Sequence, residues 1–289
     1  MTEHNISAHD HGAAALDTAA LDTAALDTAA LDTATPARRW VILVIVGLVG
    51  GVLSGLLGVG GGILMVPLLV GLAGMDQRRA AATSLAAIVP TAIVGSANYL
   101  LSGQIDLVAG MIVAVGAVSG AMIGSALLAR LSLVWLRWMF IALIVIVAIR
   151  MLLVTPMRGE TVELTLGVVL SMLAVGLVMG IASGLFGIGG GLIAVPALII
   201  LFGASDLVAK GTSLLIMIPT AITGTLRNRA NTLIDLPSAL VVGTAATAAS
   251  FGGVALALWL TAEVSNLLFV GLLVVASVQL SVQAIRKKR

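Results

Sequence analysis

Two glycine clusters are the residues of this chain whose type and spacing could carry chemistry. The sequence GLLGVGGGILMVP begins at Gly55, and GLFGIGGGLIAVP begins at Gly184, 129 residues later. Four glycines within five positions disfavour a helix, because each costs about 1 kcal/mol relative to alanine in a helix interior. Since the flanking residues are strongly apolar, we expect each cluster to be an unwound turn that opens a short helix.

Such a turn could bind an anion without a charged side chain. The start of a helix exposes backbone amides and a partial positive charge, and glycine lets a ligand approach the backbone closely. We expect the two helix starts, at Gly60–Gly62 and Gly189–Gly191, to form an anion site. The alternative is that the glycines only allow close packing of membrane helices. Repetition of the whole cluster in register favours the functional break.

Hydroxyl side chains follow each cluster at matching positions. Thr83 and Ser84 recur as Thr212 and Ser213, and each pair precedes a proline. These hydroxyls could donate hydrogen bonds to a ligand in the same cavity, or they could bond carbonyls one turn back in their own helix. Both interpretations remain open. The prolines, at positions 90 and 219, should kink their helices and so shape a cavity.

Charged residues lie near the ends of the apolar segments. Arg227 is a candidate electrostatic gate, since arginine pairs well with sulfonate and carboxylate groups. Its alternative is a solvated arginine that sets membrane topology, and the same holds for Arg229. Asp106 and Asp235 each precede an apolar segment, where we expect them to cap a helix.

The composition indicates a multi-pass membrane protein. Of the 289 residues 60% are hydrophobic and 10% are charged, against about 25% charged residues in soluble domains. The mean hydropathy is +1.18. Ten apolar segments are predicted, of which the second and seventh are too short to span a bilayer. Their approximate bounds are 40–57, 60–74, 80–101, 107–129, 132–154, 164–186, 189–203, 208–226, 236–259 and 263–285.

The body of the chain is a duplication. Without a gap, Ser54–Asp106 matches Ser183–Asp235 at 23 of 53 positions. We therefore divide the chain into a repeat over 38–158, a second repeat over 159–289, and a low-complexity tail over 1–37. The tail carries LDTAA repeats and is expected to be disordered.

An odd number of segments in each repeat predicts opposite orientations in the membrane. With both termini cytoplasmic and ten crossings, 12 Lys and Arg residues lie inside and 3 outside, as the positive-inside rule favours. If each short segment is merged with its neighbour, eight crossings remain and the distribution becomes 10 to 5. The fold class expected is therefore all-α and integral to the membrane, with two inverted five-segment repeats.

Several function classes are excluded by residue inventory. The chain has no cysteine, and its three histidines lie within the first eleven residues. The apolar body therefore lacks a credible nucleophile and base, and we expect neither an enzyme nor a metal or cofactor site. The glycine clusters also lack the lysine of a phosphate-binding loop. Since no acid lies deep in a segment, either ion coupling uses backbone and hydroxyl oxygens, or the protein is a uniporter or channel-like.

At these residues the chain resembles the TauE/SafE family of sulfite exporters and sulfonate permeases. The phrases SGLLGVGGGILMVPLL and SGLFGIGGGLIAVPALI, each followed by TSL and PTAI, are similar to its duplicated signature. The resemblance covers about residues 40–285 and implies a cytoplasmic-membrane permease for small sulfur anions. It also implies a substrate site lined by Gly58, Gly60, Gly61, Gly62, Pro67, Thr83, Ser84, Gly187, Gly189, Gly190, Gly191, Pro196, Thr212 and Ser213.

The sequence thus predicts a permease that moves a small anion, most simply sulfite or an organosulfonate, by alternating access in the bacterial inner membrane. Partners expected are the anion and the lipid bilayer, and a homodimer stays open; nucleic acid is not expected. The alternatives are a non-transporting membrane scaffold or assembly protein, and a permease or channel for small carboxylates.

Overall fold

Ten helices lie within the described residues of the computed structural model, which are 36–153 and 165–286. They are α1 Pro36–Leu57, α2 Gly62–Gly71, α3 Gln77–Leu101, α4 Leu107–Arg130, α5 Leu133–Leu153, α6 Leu166–Phe186, α7 Gly191–Phe202, α8 Asp206–Ala230, α9 Leu236–Trp259 and α10 Ala262–Arg286. No strand occurs in these ranges. The all-α fold class is therefore confirmed.

Parts of the predicted domain organisation lie outside the described residues. These parts are the LDTAA repeats, the three histidines and the boundary between residues 158 and 159. The last two residues assigned to the tail, Pro36 and Ala37, belong to α1 instead. Contacts group the described residues from Ile42 onwards into one unit, and residues 36–41 belong to another. All contacts discussed below lie within the larger unit.

Eight of the helices are long and apolar enough to cross a membrane. The two short apolar helices are α2 and α7, with 10 and 12 residues. A helix of 12 residues extends about 18 Å, which is well short of the ~30 Å hydrocarbon thickness. The prediction that the second and seventh segments are short, each following a glycine cluster, is confirmed for the described ranges.

The helix starts show why the chain folds in these segments. The Asp106 carboxylate accepts a hydrogen bond from the Ala109 amide at the start of α4, and Asp235 accepts one from the Ser238 amide at the start of α9. Both residues are therefore helix caps, as predicted. Pro90 and Pro219 lie inside α3 and α8. The kinks expected there remain a prediction.

Glycine faces bring helices of the two repeats into close contact. A Cβ built on Gly51 of α1 would overlap the Ala246 backbone of α9, and one on Gly180 of α6 would overlap the Ala117 backbone of α4. Small residues at such positions allow helix backbones to approach closely. The packing interpretation therefore holds for glycines within the long helices.

These contacts are reciprocal at the offset of the sequence repeat. Gly51 and Gly180 are equivalent positions in the two copies, and so are Ala117 and Ala246. The first long helix of each copy therefore packs on the last but one helix of the other copy: α1 packs on α9, and α6 packs on α4. A two-fold relation between two similar bodies produces contacts of this isologous kind. The arrangement brings the two glycine clusters together.

Candidate functional site

Both glycine clusters are unwound, as the sequence predicts. Helix α1 ends at Leu57 and α2 begins at Gly62, and the intervening residues 58–61 are called the first glycine break. Residues 187–190, between α6 and α7, are called the second glycine break. Six glycines in the breaks have positive φ, between +68° and +92°. Glycine adopts this conformation without the steric penalty of a side chain, which explains the composition of the breaks.

The two short helices begin without a side-chain cap. Their N-cap residues are Gly61 and Gly190. The first amides to bond across a full turn belong to Met65, which donates to the Gly61 carbonyl at 3.0 Å, and Ala194, which donates to the Gly190 carbonyl at 3.1 Å. The amides ahead of Met65 and Ala194 precede the regular hydrogen-bond ladder. Within the described residues, the Gly62 and Ile63 amides have no hydrogen-bond acceptor of standard geometry.

The two breaks contact each other. A Cβ on Gly62 would lie 2.5 Å from the Ile188 Cα, and a Cβ on Gly191 would lie 2.5 Å from the Val59 Cα. Residues 58–63 and 187–192 are all buried. Two helix starts, each with partial positive charge, therefore lie side by side inside the protein.

The short helices also contain the prolines of the signature. Pro67 and Pro196 are buried inside α2 and α7. Since proline has no amide proton, neither residue can donate to the carbonyl one turn earlier. Those carbonyls belong to Ile63 and Leu192, which also lie in the first turn of each short helix. The breaks therefore combine free amides with a disrupted carbonyl ladder.

The serine hydroxyls do not bond the carbonyls one turn back in their own helices. Ser84 donates to the Gly187 carbonyl at 3.0 Å, and Ser213 donates to the Gly58 carbonyl at 2.8 Å. Each serine therefore bonds a carbonyl in the glycine break of the other copy, rather than a carbonyl of its own helix. These bonds hold the two breaks against α3 and α8.

The neighbouring threonines also bond across the two copies. The Asp235 amide donates to the Thr83 hydroxyl at 3.1 Å, and the Asp106 amide donates to the Thr212 hydroxyl at 2.9 Å. The threonines thereby fix the starts of α9 and α4. Each hydroxyl accepts from a backbone amide and keeps its own proton, so its hydrogen bond to an anion stays a prediction.

We expect Ser213→Ala to lower the midpoint of thermal unfolding in detergent. The substitution leaves the buried Gly58 carbonyl without this donor, which costs about 1–3 kcal/mol. Ser277→Ala is the matched control, because Ser277 is only partly buried and donates to the Val274 carbonyl within its own helix. Equal, small shifts for the two variants would contradict the cross-copy role of Ser213.

One apolar side chain lies between the two breaks. A Cβ on Gly60 or on Gly189 would overlap the terminal methyl group of Met217. The equivalent residue in the other copy is Ile88, whose Cγ2 would lie 3.4 Å and 3.3 Å from the same two positions. Both side chains are fully buried. Sequence reasoning missed them because apolar residues in an apolar segment carry no signal of their own.

The structure does not bring Arg227 to the breaks. Arg227 is exposed near the end of α8. It lies about 21 Å along the helix axis from Ser213, at 1.5 Å per residue. The gate proposed from sequence is therefore remote from the glycine breaks in this conformation.

A buried lysine lies closer to the glycine breaks than Arg227 does. Lys210 is 2% exposed, and its Nζ lies 2.6 Å from the Asp206 Oδ2. The same ammonium donates to the Ser265 hydroxyl of α10. A Cβ on Gly58 would lie 2.5 Å from the Lys210 Cα, so the lysine backbone packs on the first break. Lys210 is one of the three residues counted as outside in the ten-crossing topology, and its side chain is buried within the protein.

One spacing could have revealed this lysine. Lys210, Ser213 and Met217 follow at intervals of three and four residues, which places them on one helix face. All three contact the first glycine break.

No group of three or more His, Cys, Asp or Glu residues that could hold a metal ion occurs in the described part of the chain.

Comparisons with known proteins agree on the kind of molecule. The family model for "Sulfite exporter TauE/SafE" matches residues 14–151 and 172–289. The chain is 29% identical over 213 residues to "Probable membrane transporter protein YunE" of Bacillus subtilis (strain 168), covering 64% of this chain and 76% of that one. It is 33% identical over 192 residues to "Probable membrane transporter protein" of Xylella fastidiosa (strain 9a5c), covering 65% and 73%. No solved structure matches significantly.

Proposed function

The chain belongs to the TauE/SafE family of membrane transporters, and from this premise we propose that it is a permease for small sulfur oxyanions, sulfite or organosulfonates, in the bacterial inner membrane. The observation that carries the proposal is the pair of uncapped helix starts buried against each other at the two glycine breaks. Backbone amides at a helix start bind an oxyanion without a fixed charge.

Inverted repeats would put this site near the middle of the bilayer. Each copy has five helices in the described ranges, two pairs of long spans and one short helix. If all ten helices reach across in alternating sense, the second copy enters from the opposite side. The reciprocal contacts at offset 129 support the two-fold relation. Secondary transporters built in this way bind substrate where interrupted helices meet.

Alternating access would supply the route to the buried site. In this conformation the breaks are enclosed, and Met217 lies between them. A solute could reach the amides only after the contacts between the copies open, either at the Ser84–Gly187 bond or at the Ser213–Gly58 bond. Because the two bonds are equivalent, opening the Ser84–Gly187 side or the Ser213–Gly58 side would expose the site to opposite faces of the membrane.

The test is anion flux into liposomes that contain the purified protein. We expect uptake of radiolabelled sulfite that saturates with concentration and exceeds uptake by protein-free liposomes. Parallel assays with an organosulfonate and with a small carboxylate measure substrate preference, because amide donors alone accept both kinds of oxyanion. Flux of none of these anions, from protein that is folded by its thermal transition, would contradict a permease and favour the scaffold alternative.

A further inference from the structure

The two copies differ at one buried position beside the breaks. Lys210 of α8 packs on Gly58, while its equivalent in α3, Ala81, packs on Gly187 in the same way. The residues that bond the lysine differ as well. Asp206 corresponds to Gln77, and Ser265 corresponds to Leu136. The second copy therefore carries a charged group beside its glycine contact, and the first copy carries uncharged residues at the same positions.

The comparison between the copies indicates that the fold does not need the ion pair. Ala81 makes the backbone contact with its glycine break, and Gln77 and Leu136 are buried, whereas Asp206 is half-buried. Removing two charges from water is costly, and a buried ion pair often stabilises no more than an apolar replacement. Ionisable groups inside membrane proteins are commonly retained for function. Stability alone therefore does not account for Lys210.

The backbone and Cβ of Lys210 lie against the first break. This Cβ lies at the surface of Gly58, and the residue one turn further along, Ser213, donates to the Gly58 carbonyl. The lysine stem has four rotatable carbons. The uncapped amides of Gly62 and Ile63 follow Gly58 by four and five residues. A rotation of the side chain away from Asp206 would add a positive charge to those amides.

We propose that Lys210 is the cationic anion-binding residue of this permease, and that it exchanges the Asp206 carboxylate for the transported oxyanion. The proposal rests on the proposed function and names the residue that gives the site its charge. In the conformation described here the Lys210 ammonium donates to Asp206 and Ser265 and does not bind the anion. Anion binding at the first break releases α8 from α10 at Ser265, which ties occupancy to a movement of α8.

The mirrored copy provides the test variants. Lys210→Ala and Asp206→Gln each break the pair, and the double variant D206Q/K210A places in α8 the residues that α3 carries at the same positions. We expect the double variant to fold, because its mirror image is already accommodated. We measure thermal stabilisation by sulfite in detergent, which reports binding, and sulfite flux in liposomes.

The expected pattern separates binding from structure. D206Q/K210A unfolds near the wild-type temperature but loses about 10-fold or more in sulfite affinity, since a hydrogen bond to a charged group is absent. D206Q alone retains or strengthens sulfite binding, because the lysine is no longer paired. Glu263→Gln, at an exposed residue of α10, is the control and leaves both measurements unchanged.

Two results would overturn the role of Lys210. Wild-type sulfite affinity in D206Q/K210A would mean that the pair is structural. Loss of binding in D206Q comparable to that in Lys210→Ala would mean that the pair, rather than the free lysine, is required. Both results concern sulfite binding, so they test the role of Lys210 even if the wild-type protein binds sulfite without transporting it. Binding without transport would contradict the permease proposal instead.

Discussion

Replacing Gly61 with alanine is expected to abolish sulfite flux and to destabilise the protein. Gly61 is the N-cap of α2 at φ +73°, a conformation that costs an L-residue about 1–2 kcal/mol. The added Cβ would also overlap the carbonyl oxygen of Gly50 in α1. Because the obstacle is backbone, no side-chain rotation relieves it, and the start of α2 must move. Flux per liposome-incorporated molecule and the thermal midpoint measure the two effects.

Gly74→Ala is the matched control for Gly61→Ala. Gly74 has φ +69°, yet no atom lies within 4 Å of its added Cβ. It therefore introduces the backbone strain without the overlap. Gly190→Ala should lie between the two, since its Cβ would be 2.7 Å from the Met179 Cγ, which can move. Wild-type flux by Gly61→Ala at equal membrane abundance would rule out the first break as part of the transport site.

The helices were largely predictable because each begins and ends where apolar runs meet turn or capping residues. The deviations have a physical cause. The eighth segment was predicted as 208–226 but α8 spans Asp206–Ala230. Terminal turns of a membrane helix carry polar residues, here Asp206 and Arg227, so an apolar run underestimates the helix. The second segment was predicted to begin at residue 60, while α2 begins at Gly62 because Gly60 and Gly61 belong to the break.

The breaks were predictable and the contacts around them were not. Repetition of a glycine cluster in register is visible in the chain alone. The bonds from Ser84 to Gly187 and from Ser213 to Gly58 join residues 103 and 155 positions apart. Such pairs depend on how the two copies dock. Sequence reasoning considered only a ligand or the serine's own helix as a partner, and omitted the other copy.

The burial of Lys210 could not be predicted from the apolar segments, because it depends on residues that are distant in sequence. Lys210 lies in the first turns of α8, where a charge is ordinarily solvated at the membrane surface. Its burial arises because α10 supplies Ser265 and because the first break packs on its backbone. None of these neighbours is close in sequence. The repeat itself held the clearest hint, since an alanine occupies the equivalent position in the first copy.

Replacing Met217 with alanine is expected to increase anion flux and to make it less dependent on conformational opening. The Met217 methyl group contacts both breaks at Gly60 and Gly189, so its removal leaves a space between the two amide clusters. We expect faster, less saturable sulfite uptake. A lower thermal midpoint should accompany it, because truncation of a buried methionine costs about 2–5 kcal/mol.

The equivalent residue and an exposed methionine provide the comparison. Ile88→Ala should increase flux less than Met217→Ala, because Ile88 lies further from the added Cβ positions, at 3.3–3.4 Å, than the Met217 methyl group does. Met111→Ala, at a side chain that is 63% exposed, should change neither flux nor stability. If Met217→Ala destabilises the protein while flux stays at the wild-type rate and saturates normally, the methionine only fills the core. The space between the breaks would then not be the anion's path, and the two helix starts would have to bind their ligand from another side.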